Sequence, residues 1–384
     1  MNNSINAASP IFINGGGVLT LTGANTLNGA ITFNNTGGTT TPLLATGGTL
    51  TLGANLTAVN DSYSTTPSIT GTVDLGGANR TISTSGLSPI GLTIGAVIQN
   101  GTLTKAGSGA LVLNATNTFT GSLNLTQGTV ILNTATSAGA GTINITDGAK
   151  LAVSAAVTPT NAISANTQFI VGNSTASLTI GGTLTFASAT PTITIDNAFQ
   201  GATAVFTTLN NPFGGSSMTG FTKNGIGTLI LNTNNLSPLL TGAINIVDGV
   251  LQINQPYSLG GTLLTAGGTI NLSGGAYQQN VAAGTIVLNP VNVTGSGLIN
   301  TLIANTGIGA VTVANTLTLG FAGGQQTNIF GNLALSAGTA TVFTSNNVAV
   351  TGAFAGAGSL VKTGTATFSV FSGGTASGAF TVEQ

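Results

Sequence analysis

The chain has 384 residues, of which 3% are charged, 41% are hydrophobic and 58 are glycine, whereas an ordinary soluble domain carries roughly 25% charged residues. Five basic and six acidic side chains leave a net charge of -1, which excludes nucleic acid as a partner and a polybasic mode of membrane attachment. Histidine and cysteine are absent, which removes disulfides, thiolate zinc sites and hydrolytic triads built on either residue.

Enough leucine, isoleucine, valine and phenylalanine remain to bury a core, and this hydrophobicity with so little charge argues against disorder. Threonine, serine and asparagine must therefore wet the exterior. The opening MNNSINAASPIFINGGG lacks the basic and apolar regions of a signal peptide. Short strands are expected from the start at 18–21 and 50–52, where apolar residues alternate with threonine at the period of a half-buried strand. The glycine-rich stretches NNTGGTT (34–40) and TGGTLTLG (46–53) lack the strand–glycine–helix context and the Lys-Ser/Thr ending of a phosphate loop. Asp74 and Arg80 flank a Gly76-Gly77-Ala78-Asn79 turn, across which they are expected to form a surface ion pair. Residues 87–101 are uncharged but broken by Pro89 and several glycines, which argues against a membrane-spanning helix.

The most ordered stretch comes next. Residues 101–133 read GTLTKAGSGALVLNATNTFTGSLNLTQGTVILN: a Lys-x-Gly step, an alternating strand, a polar break, a second strand, a turn at Gln127-Gly128 and a third strand. After a further strand at 143–145, the unit returns over 220–254 with its turn at Asp248-Gly249, and in part over 358–384. Lys105, Lys223 and Lys362 mark equivalent points. Strands this short fit a sandwich, a barrel or a solenoid, but only a coil of similar rungs has reason to repeat one order of turn, strand and break. A rung of about 20 to 25 residues divides the chain into roughly 15 to 19 rungs. Strands stacked about 4.8 Å apart would make a rod on the order of 70 to 90 Å, one continuous domain over 1–384. Asparagines at repeated positions are expected to bond from rung to rung, and Leu111 and Leu229 to point inward. Because the last unit stops after its second strand, 1–384 is read as a piece of a longer polypeptide.

The segments GTLTKAGSGALVLN and GFTKNGIGTLILN, followed by NLTQGTVILN and NIVDGVLQIN, resemble the passenger-associated repeat of autotransporters, and VDLGGANRTI (73–82) resembles a segment preceding it in that family. The resemblance implies an all-β, right-handed parallel β-helix. It also implies type V secretion, an outer-membrane translocator barrel in cis, and display at the bacterial surface or release from it, as an adhesin or antigen. No catalytic residue carries over, because the matching repeat is scaffold.

Other chemistries are weighed residue by residue. Lys105 precedes Ser108 by three residues, as a Ser-Lys pair would require, but Lys223 recurs without that serine, and a solvated lysine at a rung corner explains both. The acids Asp61, Asp74, Asp147, Asp196, Asp248 and Glu383 are scattered. Glycosidase or lyase chemistry needs acids that converge, and turn formation accounts for Asp147-Gly148 and Asp248-Gly249. Thr-Leu-Thr triplets begin at Thr20, Thr49, Thr102, Thr183 and Thr316 at intervals that fit no single period, so a regular ice-ordering array is not expected.

The leading expectation is a non-enzymatic surface rod acting as stalk, adhesin or antigen. It needs no cofactor or metal, and its partners are host or neighbouring-cell surface molecules, with end-to-end self-association open. A self-assembling fibre or surface-layer component is the alternative, and a polysaccharide-acting β-helix enzyme a weaker one.

Overall fold

A computed structural model describes residues 5–172, 174–196, 206–211, 213–214, 218–234, 240–262, 266–303, 306–319, 327–329, 331–336, 339–344 and 347–383. Among them, every regular element is a strand, most of them three to five residues long, and the ladders pair in parallel. The fold is a parallel β-solenoid. Its described residues fall into two compact units that divide between Thr185 and Phe186. No described helix is long and apolar enough to cross a membrane.

In the first unit one sheet stacks Thr102–Ala106, Leu123–Leu125, Ile143–Ile145 and Ile163–Ala165. A second stacks Ala110–Leu113, Thr129–Leu132, Lys150–Val153 and Gln168–Gly172. The strands are short because a coil must turn within each rung, and glycines in the left-handed region supply the corners. Alternation then fills the interior with columns of like residues: Leu103, Leu123, Ile143 and Ile163 lie in one, and Leu111, Val130, Leu151 and Val171 in another. All eight are fully buried. The second unit repeats the plan, with Phe221, Ile244, Ile270, Val291, Val311 and Leu333 in register. Leu229 stacks on Leu251 and Tyr277 beside them. Leu111 and Leu229 therefore face inward as expected.

Rung length is visible in the register, from 19 residues between Leu111 and Val130 to 26 between Leu56 and Ile82. It reaches 30 between Ile193 and Lys223. The interval varies because loops absorb insertions while strand register is kept.

Amide ladders run from rung to rung, as the repeated asparagines suggested. Asn144 Nδ2 donates to Asn124 Oδ1 (2.8 Å) and Asn271 Nδ2 to Asn245 Oδ1 (2.8 Å). Asn210, Asn232, Asn254 and Asn280 form a longer series, each amide reaching back to the preceding oxygen at 2.9 to 3.2 Å. In the interior Asn35 Nδ2 donates to Asn60 Oδ1 (2.7 Å), and Asn60 Nδ2 to the Ile90 carbonyl (2.6 Å). Stacked strands place identical amides one strand spacing apart, which lets each serve as donor to one neighbour and acceptor from the other. Threonine ranks do not persist in the same way: Thr51 stacks between Thr26 and Asp74.

Candidate functional site: the lysine corner

Lys105 ends an alternating strand at an inward position. Its register partners are Ile82 in the rung before and Leu125 in the rung after, so a lysine occupies an aliphatic column. Lys223 does the same between Ile193 and Ile246, and Lys362 between Val342 and Val382. Lys105 and Lys223 are 0% exposed. The solvated lysine expected at a rung corner is thus corrected. The four-carbon stem fills the place of an isoleucine, and the ammonium passes beneath the turn.

There Lys105 Nζ donates to the carbonyls of Ala106 (2.6 Å), Gly107 (2.6 Å) and Gln127 (3.1 Å). Lys223 Nζ repeats the set on Asn224 (3.0 Å), Gly225 (2.7 Å) and Asp248 (3.0 Å). Lys362 Nζ donates to the carbonyl of Gly364, the equivalent of Gly107. Two acceptors belong to the lysine's own turn and the third to the next rung. An ammonium has three donors, and three carbonyls converge to meet them.

The Lys-x-Gly spacing follows from this geometry. Gly107 and Gly225 have φ of +74° and +76°, a left-handed conformation that turns the carbonyls of the preceding and the same residue toward Nζ. One rung later Gly128 (φ +72°) and Gly249 (φ +63°) stack on that turn. A Cβ on Gly128 would lie 2.4 Å from the Gly107 oxygen and 2.9 Å from Lys105 Nζ, and one on Gly249 2.4 Å from the Gly225 oxygen. Only glycine lets the second turn close over the first.

Burial pulls the Lys105 ammonium down to about 8. Lys223 also falls to about 8, through the same desolvation, with the Asp248 and Asp196 carboxylates opposing part of it. Stripping water from an ammonium costs several kcal/mol, and hydrogen bonds to a charged donor return about 1.5–3 kcal/mol each, so the three bonds offset part of the loss and the lowered titration reflects the part that remains.

The other sequence candidates are held apart. Ser108 is exposed on the turn while Lys105 Nζ is directed at carbonyls. Asp74 and Arg80 do not form the expected ion pair, which is a correction: Asp74 accepts from the Gly76 N–H and the Gln99 and Asn100 amides, and Arg80 Nε donates to the Leu75 carbonyl. One backbone N–H of the turn and two side-chain amides of the next rung take up the carboxylate instead. Asp147 caps the next rung by accepting from the Thr167 N–H and hydroxyl and the Gln168 N–H, bonds that hold its carboxyl below the usual range. Asp248 Oδ1 accepts from the Gly249 N–H (2.7 Å). Asp248 thus does the turn duty expected of it, whereas the Asp147 carboxylate serves the following rung. Among the described residues no group of three acids forms a metal site.

The features define a class, a parallel β-solenoid whose rungs are joined by buried lysine caps. Residues 103–132 and 221–253 each match the passenger-associated-transport-repeat family, so the chain carries two of the repeats found in autotransporter passengers, one around Lys105 and one around Lys223. No curated protein and no solved structure matches the chain.

Proposed function

We propose that this chain is part of a non-enzymatic, surface-displayed β-helical passenger, acting as a stalk that carries an adhesive or antigenic surface. The observation that carries the reading is the lysine cap, which recurs in both family-matched repeats and, in a sequence with only five basic residues, spends charged side chains on the chain's own carbonyls. Ladders of asparagine, and of glutamine where Gln278 Nε2 donates to Gln252 Oε1 (2.7 Å), do the same with amides. Chemistry directed inward in this way supports a scaffold that keeps its form outside the cell with little charge and no disulfide.

The test is protease shaving of intact bacteria expressing the whole natural protein, read with an antibody against this segment. Loss of the signal from unlysed cells is expected; full protection until lysis would contradict surface display. Saturable binding of the purified chain to host cells would assign the adhesive part to this segment, and absence of binding would leave it the stalk alone.

A further inference from the structure

The two repeats share a frame but not a rim. Register equates Ser85, Ser108, Thr126, Gln127, Thr129 and Lys150 at the first corner with Asp196, Ile226, Val247, Asp248, Val250 and Ala276 at the second. At the first corner the changed positions are polar with one cation. At the second they are aliphatic with two carboxylates. Ile226 is 64% exposed and Val247 43%, where the first corner carries Ser108 and Thr126. Beside them runs an open groove of about 400 Å³, lined among others by Gly249, Val250, Gly275, Ala276, Gly297 and Leu298. A groove at the first corner, of about 410 Å³, overlaps it in register at Gly128, Thr129, Gly148 and Lys150 and is lined also by Ser108 and Gln127.

We propose that the second corner is a docking surface for an extended peptide segment in which aliphatic and basic side chains alternate. Exposed apolar area next to a groove marks an interaction site, and a floor of glycines and alanine leaves room for a main chain to lie close. Asp248 sits between Val247 and the groove, and Asp196 lies two rungs back, with its Oδ1 at the Gly225 turn. Lys223 is spent on carbonyls, so the corner presents a net formal charge of -1, which complements basic side chains. Lys105 and Lys150 against Asp147 leave the first corner at +1. Complementary charge speeds encounter and selects partners, while burial of aliphatic side chains supplies affinity. This surface stands on the comparison of corners and does not depend on where the chain is displayed.

The experiment is fluorescence anisotropy with a labelled, end-capped octapeptide of alternating leucine and lysine, against a leucine–glutamate octapeptide as control. Saturable binding of the first alone is expected. Ile226→Ser, Val247→Thr, Asp248→Gln and Val250→Thr together give the second corner the residues that the first carries on the same backbone, and should weaken binding at least tenfold with an unchanged circular-dichroism melt. If that variant melts early, Asp248→Asn alone should still weaken binding several-fold and flatten its salt dependence. No saturable binding, equal binding of the glutamate peptide, or variants that bind like the parent would overturn the proposal. So would a dimer in sedimentation that the fourfold variant disperses, since a second copy would then be the occupant.

Discussion

The corner around Lys105 and the corner around Lys223 share 3 acceptor positions on the ammonium, 2 left-handed glycines and the same inward column. They differ on the rim, at Ser108/Ile226, Thr126/Val247, Gln127/Asp248, Thr129/Val250 and Lys150/Ala276, while both keep the outward asparagine ladder, Asn124 with Asn144 and Asn245 with Asn271. The repeat therefore conserves the chemistry that joins one rung to the next and leaves the rim free to vary. A chain built this way can change its surface without changing its coil.

Disturbing the shared frame should hurt both corners alike. Leu111→Asp and Leu229→Asp place a carboxylate in fully buried columns, and each should cost more than about 4 kcal/mol, since an unpaired buried charge has no compensation. Urea titration followed by circular dichroism checks this, and one variant near wild type would show that the two interiors are not equivalent. Gly128→Ala and Gly249→Ala should follow at about 2–4 kcal/mol, because each methyl meets carbonyl oxygens at 2.4 Å in a left-handed residue.

Lys105→Met and Lys223→Met keep the stem and remove the donors, leaving 3 carbonyls unmet at each corner. A loss of about 1–3 kcal/mol is expected from each, with new protease cleavage next to the mutated turn. Equal losses would confirm one frame; a loss at only one corner would break the comparison.

Acidity sharpens the comparison further. Both lysines titrate near 8 in the fold and near 10.4 in an unfolded chain. Between those values the unfolded state binds more protons, so these groups make stability rise with pH over that window, and they contribute no slope below it. Urea midpoints from pH 7 to 10 measure the slope. Asp248→Asn removes a carboxylate that opposes the fall at Lys223, so it should lower that titration and leave Lys105 where it is.

Ladder substitutions should have the smallest effect. Asn144→Ala and Asn271→Ala each break one amide link at 2.8 Å, worth about 0.5–1.5 kcal/mol.

Much of the fold was legible in the residues because period-two alternation and left-handed turns leave direct marks. Leu111 and Leu229 declared their direction through their neighbours, and the Lys-x-Gly unit declared a coil through its return. The fate of the lysines was not legible. A charged residue at a corner ordinarily reaches solvent, and the carbonyls that receive Lys105 come partly from residue 127, 22 positions away. A signal did exist: in a chain with 3% charge, a lysine fixed two residues before a glycine and in phase with inward leucines asks for a buried explanation. Asp74 and Arg80 misled for the opposite reason, since opposite charges near a turn suggest an ion pair until the Gly76 N–H and the Gln99 and Asn100 side chains of the next rung are counted. The rim around Ile226 and Val247 showed only once register had aligned the corners.

The most direct measurement is nitrogen-15 NMR of the chain labelled at its lysine side chains, titrated with pH and assigned with the methionine variants. Buried caps predict ammonium signals for Lys105 and Lys223 that exchange slowly with solvent and titrate near 8. Rapid exchange at both, with titration at the ordinary lysine value of about 10.4, would mean that the ammonium groups lie in water, and the rung-joining cap would be contradicted.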